Sequence, residues 1–180
     1  MKKALCVFTL FLFPLAMIAQ DGFVRERYSN DVSEWSVDVG GSGEIRTRYN
    51  NDYTEWAVSL GSNSGTIRER FSNDRSEWII DIGDETYDLR MRYSNDNSEW
   101  ILSGGNLPGE VDIHERYSND AGEWTMSGNA PAVDMHLRYS NDYTEWVVSG
   151  CAEGTNRGIC VAAAFLPIYA SLYLSPPKPQ

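Results

Sequence analysis

The sequence predicts an all-β fold made of six tandem β-hairpin repeats of about 22 residues each, and three observations lead to it. First, the chain repeats itself: Trp35, Trp56, Trp78, Trp100, Trp124 and Trp146 are evenly placed, and seven residues before each stands an aromatic, namely Tyr28, Tyr49, Phe71, Tyr93, Tyr117 and Tyr139. Second, the flanks of each pair alternate apolar and polar residues with period two, the pattern of a strand with one buried face. Third, Asn-Asp pairs sit between the two flanks of every copy, and Gly-rich segments such as Gly40-Gly41-Ser42-Gly43 join one copy to the next.

Each element follows from these features. In the second copy Ile45, Thr47 and Tyr49 share a face with Trp56, Val58 and Leu60, while Arg46, Arg48, Glu55 and Ser59 occupy the other. Asn and Asp tolerate left-handed backbone and bond their own turn, which accounts for the pairs Asn30-Asp31, Asn51-Asp52, Asn73-Asp74, Asn95-Asp96, Asn119-Asp120 and Asn141-Asp142. Twelve short antiparallel strands in up-and-down order result. A parallel solenoid would stack the repeated Asp and Glu into like-charge ladders. A meander instead sets the row Arg27, Arg48, Arg70, Arg92, Arg116 and Arg138 beside the row Glu34, Glu55, Glu77, Glu99, Glu123 and Glu145. A flat meander would leave its Tyr/Trp/Ile/Val side wet, so the sheet is expected to close into a flattened barrel or roll.

One irregularity gives an alternative. Glu26, Glu69 and Glu115 alternate with Thr47, Met91 and Leu137 at one apolar-face position, which suits a β-trefoil-like pseudo-threefold. Strands of about six residues are short for a membrane-spanning barrel, which takes roughly 9–11.

The ends differ from the repeats. Residues 1–19 read as a signal peptide, with Lys2 and Lys3 before an apolar stretch and Ala19 at the cleavage site. Residues 20–150 form the repeat domain, and 151–180 a C-terminal cap with a Pro-rich tail. Export favours a disulfide between Cys151 and Cys160. The apolar run 159–174, interrupted by Pro167, is expected to pack on the last hairpin, with a membrane anchor as the sharper alternative.

The composition narrows the function. The chain has 15 Lys+Arg against 26 Asp+Glu, a net charge of −11, which is unsuited to nucleic acid. No motif of nucleophile, base or phosphate loop is present. His114 and His136 stand where other copies carry Arg25, Arg46, Arg68 and Arg90, so they read as members of a polar ladder. The Asn-Asp loops lack the carboxylate spacing of a calcium loop, and neither a metal nor a cofactor is expected. The remaining reading is a secreted or cell-surface, non-enzymatic binding or surface-structural module. Its candidate contacts are the six Asn-Asp turns and the aromatics Tyr53 and Tyr143 at the variable turn position, expected to be exposed. Its expected partner is a cell-surface glycan or protein. A multivalent lectin and a self-assembling matrix or fibre subunit are the alternatives.

Overall fold

The computed structural model describes residues 21–152 and 154–176. The expected signal peptide and the closing residues 177–180 lie outside them. The twelve strands are β1 (Gly22–Tyr28), β2 (Asp31–Asp38), β3 (Ser42–Tyr49), β4 (Asp52–Leu60), β5 (Asn63–Phe71), β6 (Asp74–Ile82), β7 (Glu85–Met91), β8 (Glu99–Gly104), β9 (Val111–Glu115), β10 (Glu123–Gly128), β11 (Val133–Leu137) and β12 (Glu145–Ser149). They form one closed barrel in which every strand pairs antiparallel with its sequence neighbours and β1 closes on β12. The meander is therefore as the sequence predicts, and the trefoil does not form.

Closure makes a wide barrel. About eight strands leave an interior that side chains alone can fill, and twelve leave more room than that. The extra space is taken by α1 (Arg157–Tyr173), the one helix among the described residues, which runs along the barrel interior and is buried without interruption from Gly158 to Ala170. This corrects the expectation for the apolar run: it is a central plug, not a cap on the last hairpin. Among the described residues no helix is long and apolar enough to cross a membrane. The reason α1 carries no amphipathic stripe is now plain, since a helix walled on every side needs none. Asn156 caps its start by accepting the Ile159 amide at 3.2 Å.

The six tryptophans line the wall around this helix, each at most 1% exposed. Phe165 packs edge-on against Trp78 at 4.9 Å and Trp56 at 6.2 Å, and Tyr169 edge-on against Trp100 at 5.0 Å. Each indole N–H donates to the carbonyl three residues earlier, as in Trp35 to Val32 at 2.8 Å and Trp124 to Ala121 at 2.9 Å. A large apolar ring is thus buried with its single donor satisfied inside its own hairpin, which explains why Trp recurs here.

The outer wall is ionic. Arg27 lies 3.6 Å from Glu34 of its own hairpin and 2.6 Å from Glu44 of the next. Arg70 and Arg92 do the same, at 3.2 Å and 3.4 Å to Glu77 and Glu99 while also bonding Asp88 and Asp112. In the slot equivalent to Glu44, two hairpins carry Phe23 and Thr66. Their cross-strand partners are Asp38 and Asp81, whereas Glu44, Asp88, Asp112 and Asp134 face Ser59, Ser103, Ser127 and Ser149. Each such pair therefore holds one carboxylate, because two directly opposed would repel. Arg48 and Arg138, which adjoin the two uncharged slots, bind their own Glu55 and Glu145 at 2.5 Å instead. His114 and His136 lie opposite Glu99 and Glu123, as ladder members should. Charges this dense along mid-strand would cost several kcal/mol in hydrocarbon.

Candidate functional site

The two ends of the barrel differ in chemistry. At one end the Gly-rich connections meet the start of α1; at the other the six Asn-Asp turns surround its last residues. The turn end carries the candidate residues.

Its turns share one backbone plan. Asn30, Asn51, Asn73, Asn95, Asn119 and Asn141 all have φ of 59–64°, the left-handed conformation that Asn accepts at low cost. The Asp that follows accepts from the amide and hydroxyl two residues on: Asp31 from Ser33 at 2.9 and 2.5 Å, Asp52 from Thr54 at 2.9 and 2.6 Å. Asp74, Asp96 and Asp142 repeat this with Ser76, Ser98 and Thr144, and Asp120 takes only the Gly122 amide. The hydroxyl and amide donors hold the carboxyls of Asp31, Asp52, Asp74 and Asp96 below their ordinary range. One oxygen of each candidate Asp is thus committed to its turn.

The aromatic that opens each turn is not in the core. Tyr28, Tyr49, Phe71, Tyr93, Tyr117 and Tyr139 are 54–58% exposed, against the expectation that Tyr49 shares the Trp56 face. Register explains this. The pairing slips between Thr47 and Tyr49, and likewise between Glu26 and Tyr28 and between Glu69 and Phe71, so strict alternation ends one residue before the turn. The result is a ring of exposed aromatics, with Arg27, Arg48 and Arg138 stacked over Tyr28, Tyr49 and Tyr139 at 5.5–5.8 Å.

Tyr53 and Tyr143 are corrected in the other direction. Both are half-buried and pack on the tryptophans of their hairpins, 5.9 Å from Trp56 and 5.7 Å from Trp146. The position they share is also held by Val32, Arg75, Asn97 and Ala121, and several of these meet the end of α1. Arg75 stacks on Tyr173 at 4.2 Å, Asn97 accepts from the Tyr169 hydroxyl, and the Tyr143 carbonyl accepts from Ser171. This position varies because six like turns contact one helix that has no sixfold symmetry.

No known family model, curated protein or solved structure matches this chain.

Two clefts open beside the helix end. One, of about 880 Å³, lies among the second, third and fourth turns and includes Tyr53, Glu69, Arg75, Tyr169 and Tyr173. The other, of about 1020 Å³, opens between the fourth and fifth turns and includes Asp96, Asn97, Glu115, Ala121, Tyr173 and Leu174. Glu69 and Glu115 are pushed above the usual carboxylate range by burial, partly offset for Glu69 by the Asn73 amide and Arg75, and for Glu115 by the Asp120 and Asn119 amides. The described residues hold no group of three or more His, Cys, Asp and Glu suited to a metal.

At the opposite end the sequence-predicted disulfide is not formed. Cys151 and Cys160 are buried free thiols, and a hydrogen bond between them pushes Cys160 down and, with burial, Cys151 up. Nearby, Tyr87 occupies the place of Val111 and Val133 in the wall and is closely bordered by Gly105 and Gly158. Its hydroxyl donates to Glu85, and burial together with that bond pushes it up to about 12. Sequence reasoning missed this lock. Its signal was the single Tyr at a repeat position held elsewhere by Gly22, Gly43, Gly65, Val111 and Val133.

Proposed function

We propose that this chain is an exported, non-enzymatic binding module whose contact surface is the turn end of the barrel. The supporting observation is the ring of six aromatics: they are the large apolar side chains left exposed among the described residues, and all stand at one end. Side chains of this kind pack against a partner at low entropic cost while their polar groups stay hydrogen-bonded. The partner is a cell-surface glycan or protein.

A multivalent lectin is the more specific form of this reading, favoured by Arg, Ser and Asn groups repeated beside each ring, where stacking and hydroxyl bonding could combine. Avidity would then exceed each single contact. Self-assembly through strand edges is disfavoured, because a closed barrel has no unpaired edge to extend. Export would also carry Cys151 and Cys160 into oxidising surroundings, where the neighbouring thiols would close into the expected disulfide. Loss of two hydrogens in the intact mass of the secreted protein checks that.

The test is a binding screen of the mature chain against arrayed glycans and cell-surface proteins, repeated with Tyr28→Ala, Tyr49→Ala and Tyr93→Ala combined. Specific binding that the triple variant weakens at least tenfold supports the proposal. Binding that survives the triple variant unchanged overturns the assignment of the surface.

A further inference from the structure

The mouth of the barrel contains the same carboxylate in two settings. In the third hairpin Glu69 faces inward at the end of β5, and six residues later Arg75 stands at the variable turn position. The Arg75 guanidinium lies 4.2 Å over the Tyr173 ring, and its charge acts on Glu69. The chain therefore supplies its own cation to a place bounded by a half-buried carboxylate and an aromatic face.

Two hairpins further round, the surroundings recur without a cation at the turn position; Arg92, which also borders this cleft, is paired with Glu99 and Asp112 on the outer wall. Glu115 takes the place of Glu69, Asp96 and Asp120 that of Asp52 and Asp74, and the residue corresponding to Arg75 is Ala121. Glu115 accepts backbone amides of its turn, and among the described residues it makes no ion pair. Where the third hairpin has Asn97 as the next turn residue, the fifth has Tyr143, whose phenol is raised by burial first and then by the charges of Asp120 and Glu115. Tyr173 borders both clefts. A methyl group thus replaces a guanidinium at the edge of a cleft of similar size, about 1020 Å³ against 880 Å³.

We propose that the cleft between the fourth and fifth turns binds an organic cation, a guanidinium or alkylammonium group, which occupies beside Glu115 the place that Arg75 occupies beside Glu69. The attraction has two parts: the carboxylate in a partly desolvated setting, and the electron-rich face of Tyr173, which borders the cleft. The same chemistry is offered by an Arg or Lys side chain of a protein partner and by a small free amine. The proposal rests on the turn end being the contact surface, and it adds that this ring of six similar turns carries one cation site, not six.

The experiment is a calorimetric titration of the mature chain with ethylguanidinium, with N-acetyl-arginine amide and with the neutral N-acetyl-citrulline amide. Both cations should bind one per chain, weaken as salt is raised, and exceed the citrulline compound at least tenfold. A preference for the arginine amide points to a peptide source; equal binding of ethylguanidinium points to a free cation. Ala121→Arg, which places beside Glu115 the cation that the third hairpin places beside Glu69, should reduce binding at least tenfold, and Arg75→Ala should raise the stoichiometry to two. Glu115→Gln keeps the backbone acceptor and should also lose binding, so the proposal remains testable if Ala121→Arg fails to fold. Equal binding of the citrulline compound, or unchanged cation binding in folded Ala121→Arg or Glu115→Gln, would overturn it. Loss of partner binding in the rim triple variant with cation binding intact separates the two proposals.

Discussion

Tyr169 donates its hydroxyl to Asn97 Oδ1 at 3.0 Å, and this bond ties the central helix to the fourth turn. The phenol is held high by burial first of all, so it stays a donor at any working pH. Tyr169→Phe should cost about 1 kcal/mol, the usual net worth of one such bond, read as a lower denaturation midpoint in urea. Asn97→Asp should keep an acceptor there and lose less.

The turn asparagines separate conformation from contact. Left-handed backbone costs an ordinary L-residue roughly 1–2 kcal/mol, and Gly nothing. Asn51→Ala should therefore destabilise by about 1 kcal/mol while Asn51→Gly leaves the melting temperature nearly unchanged. Equal losses in both would show that the side chain matters for its bonds and not for its φ of 59°.

A Cβ at position 158 would stand 2.4 Å from the Tyr87 ring. Gly158→Ala should accordingly cost about 1–3 kcal/mol as overpacking. Tyr87→Val, copying the residue that β9 and β11 carry at this place, should restore part of the loss in the double variant. A double-mutant cycle on thermal unfolding checks the coupling.

The outer wall predicts its own sign rule. Thr66→Asp would give Arg48 a second carboxylate but would face Asp81 across the pair. It should destabilise by a few tenths of a kcal/mol, within the 0.2–1 kcal/mol range of exposed cross-strand pairs. Adding Asp81→Ser, the combination found in β7/β8, β9/β10 and β11/β12, should reverse the sign of the Thr66→Asp effect.

Acid acts on the turn end in two directions. Glu69 and Glu115 are raised in the folded chain, so burying their charge costs stability at neutral pH. That cost disappears as pH falls through their raised values toward the ordinary 4.5. Asp31, Asp52, Asp74 and Asp96 are lowered, so their contribution is present above the ordinary 3.8 and is lost as pH falls further. Stability measured by urea should rise slightly on mild acidification and then fall. Glu115→Gln should be more stable than the parent at pH 7 and show a smaller rise.

The hairpins, the Trp face, the Arg–Glu ladders and closure were all readable because period two and cross-strand charge are local properties of consecutive residues. Three features were not. The faces of Tyr28 and Tyr49 depend on a register slip that residue counting does not carry across. Burial of Tyr53 and Tyr143 depends on a helix supplied from the far end of the sequence. The helix itself gave no periodic signal, since contact on all sides leaves its apolar residues without a stripe. Pro167, which suggested a break, lies inside it and leaves it one element.

Because α1 follows β12 in the chain and lies inside the wall, the strands are synthesised before the segment they must enclose. Until it emerges, the wall has nothing to wrap, and the six indoles lack the helix they pack around. Folding order is thereby coupled to α1: a nascent chain interrupted before residue 157 would be a sticky sheet, and a companion that shields it would have to let go only when the final turns of the helix arrive.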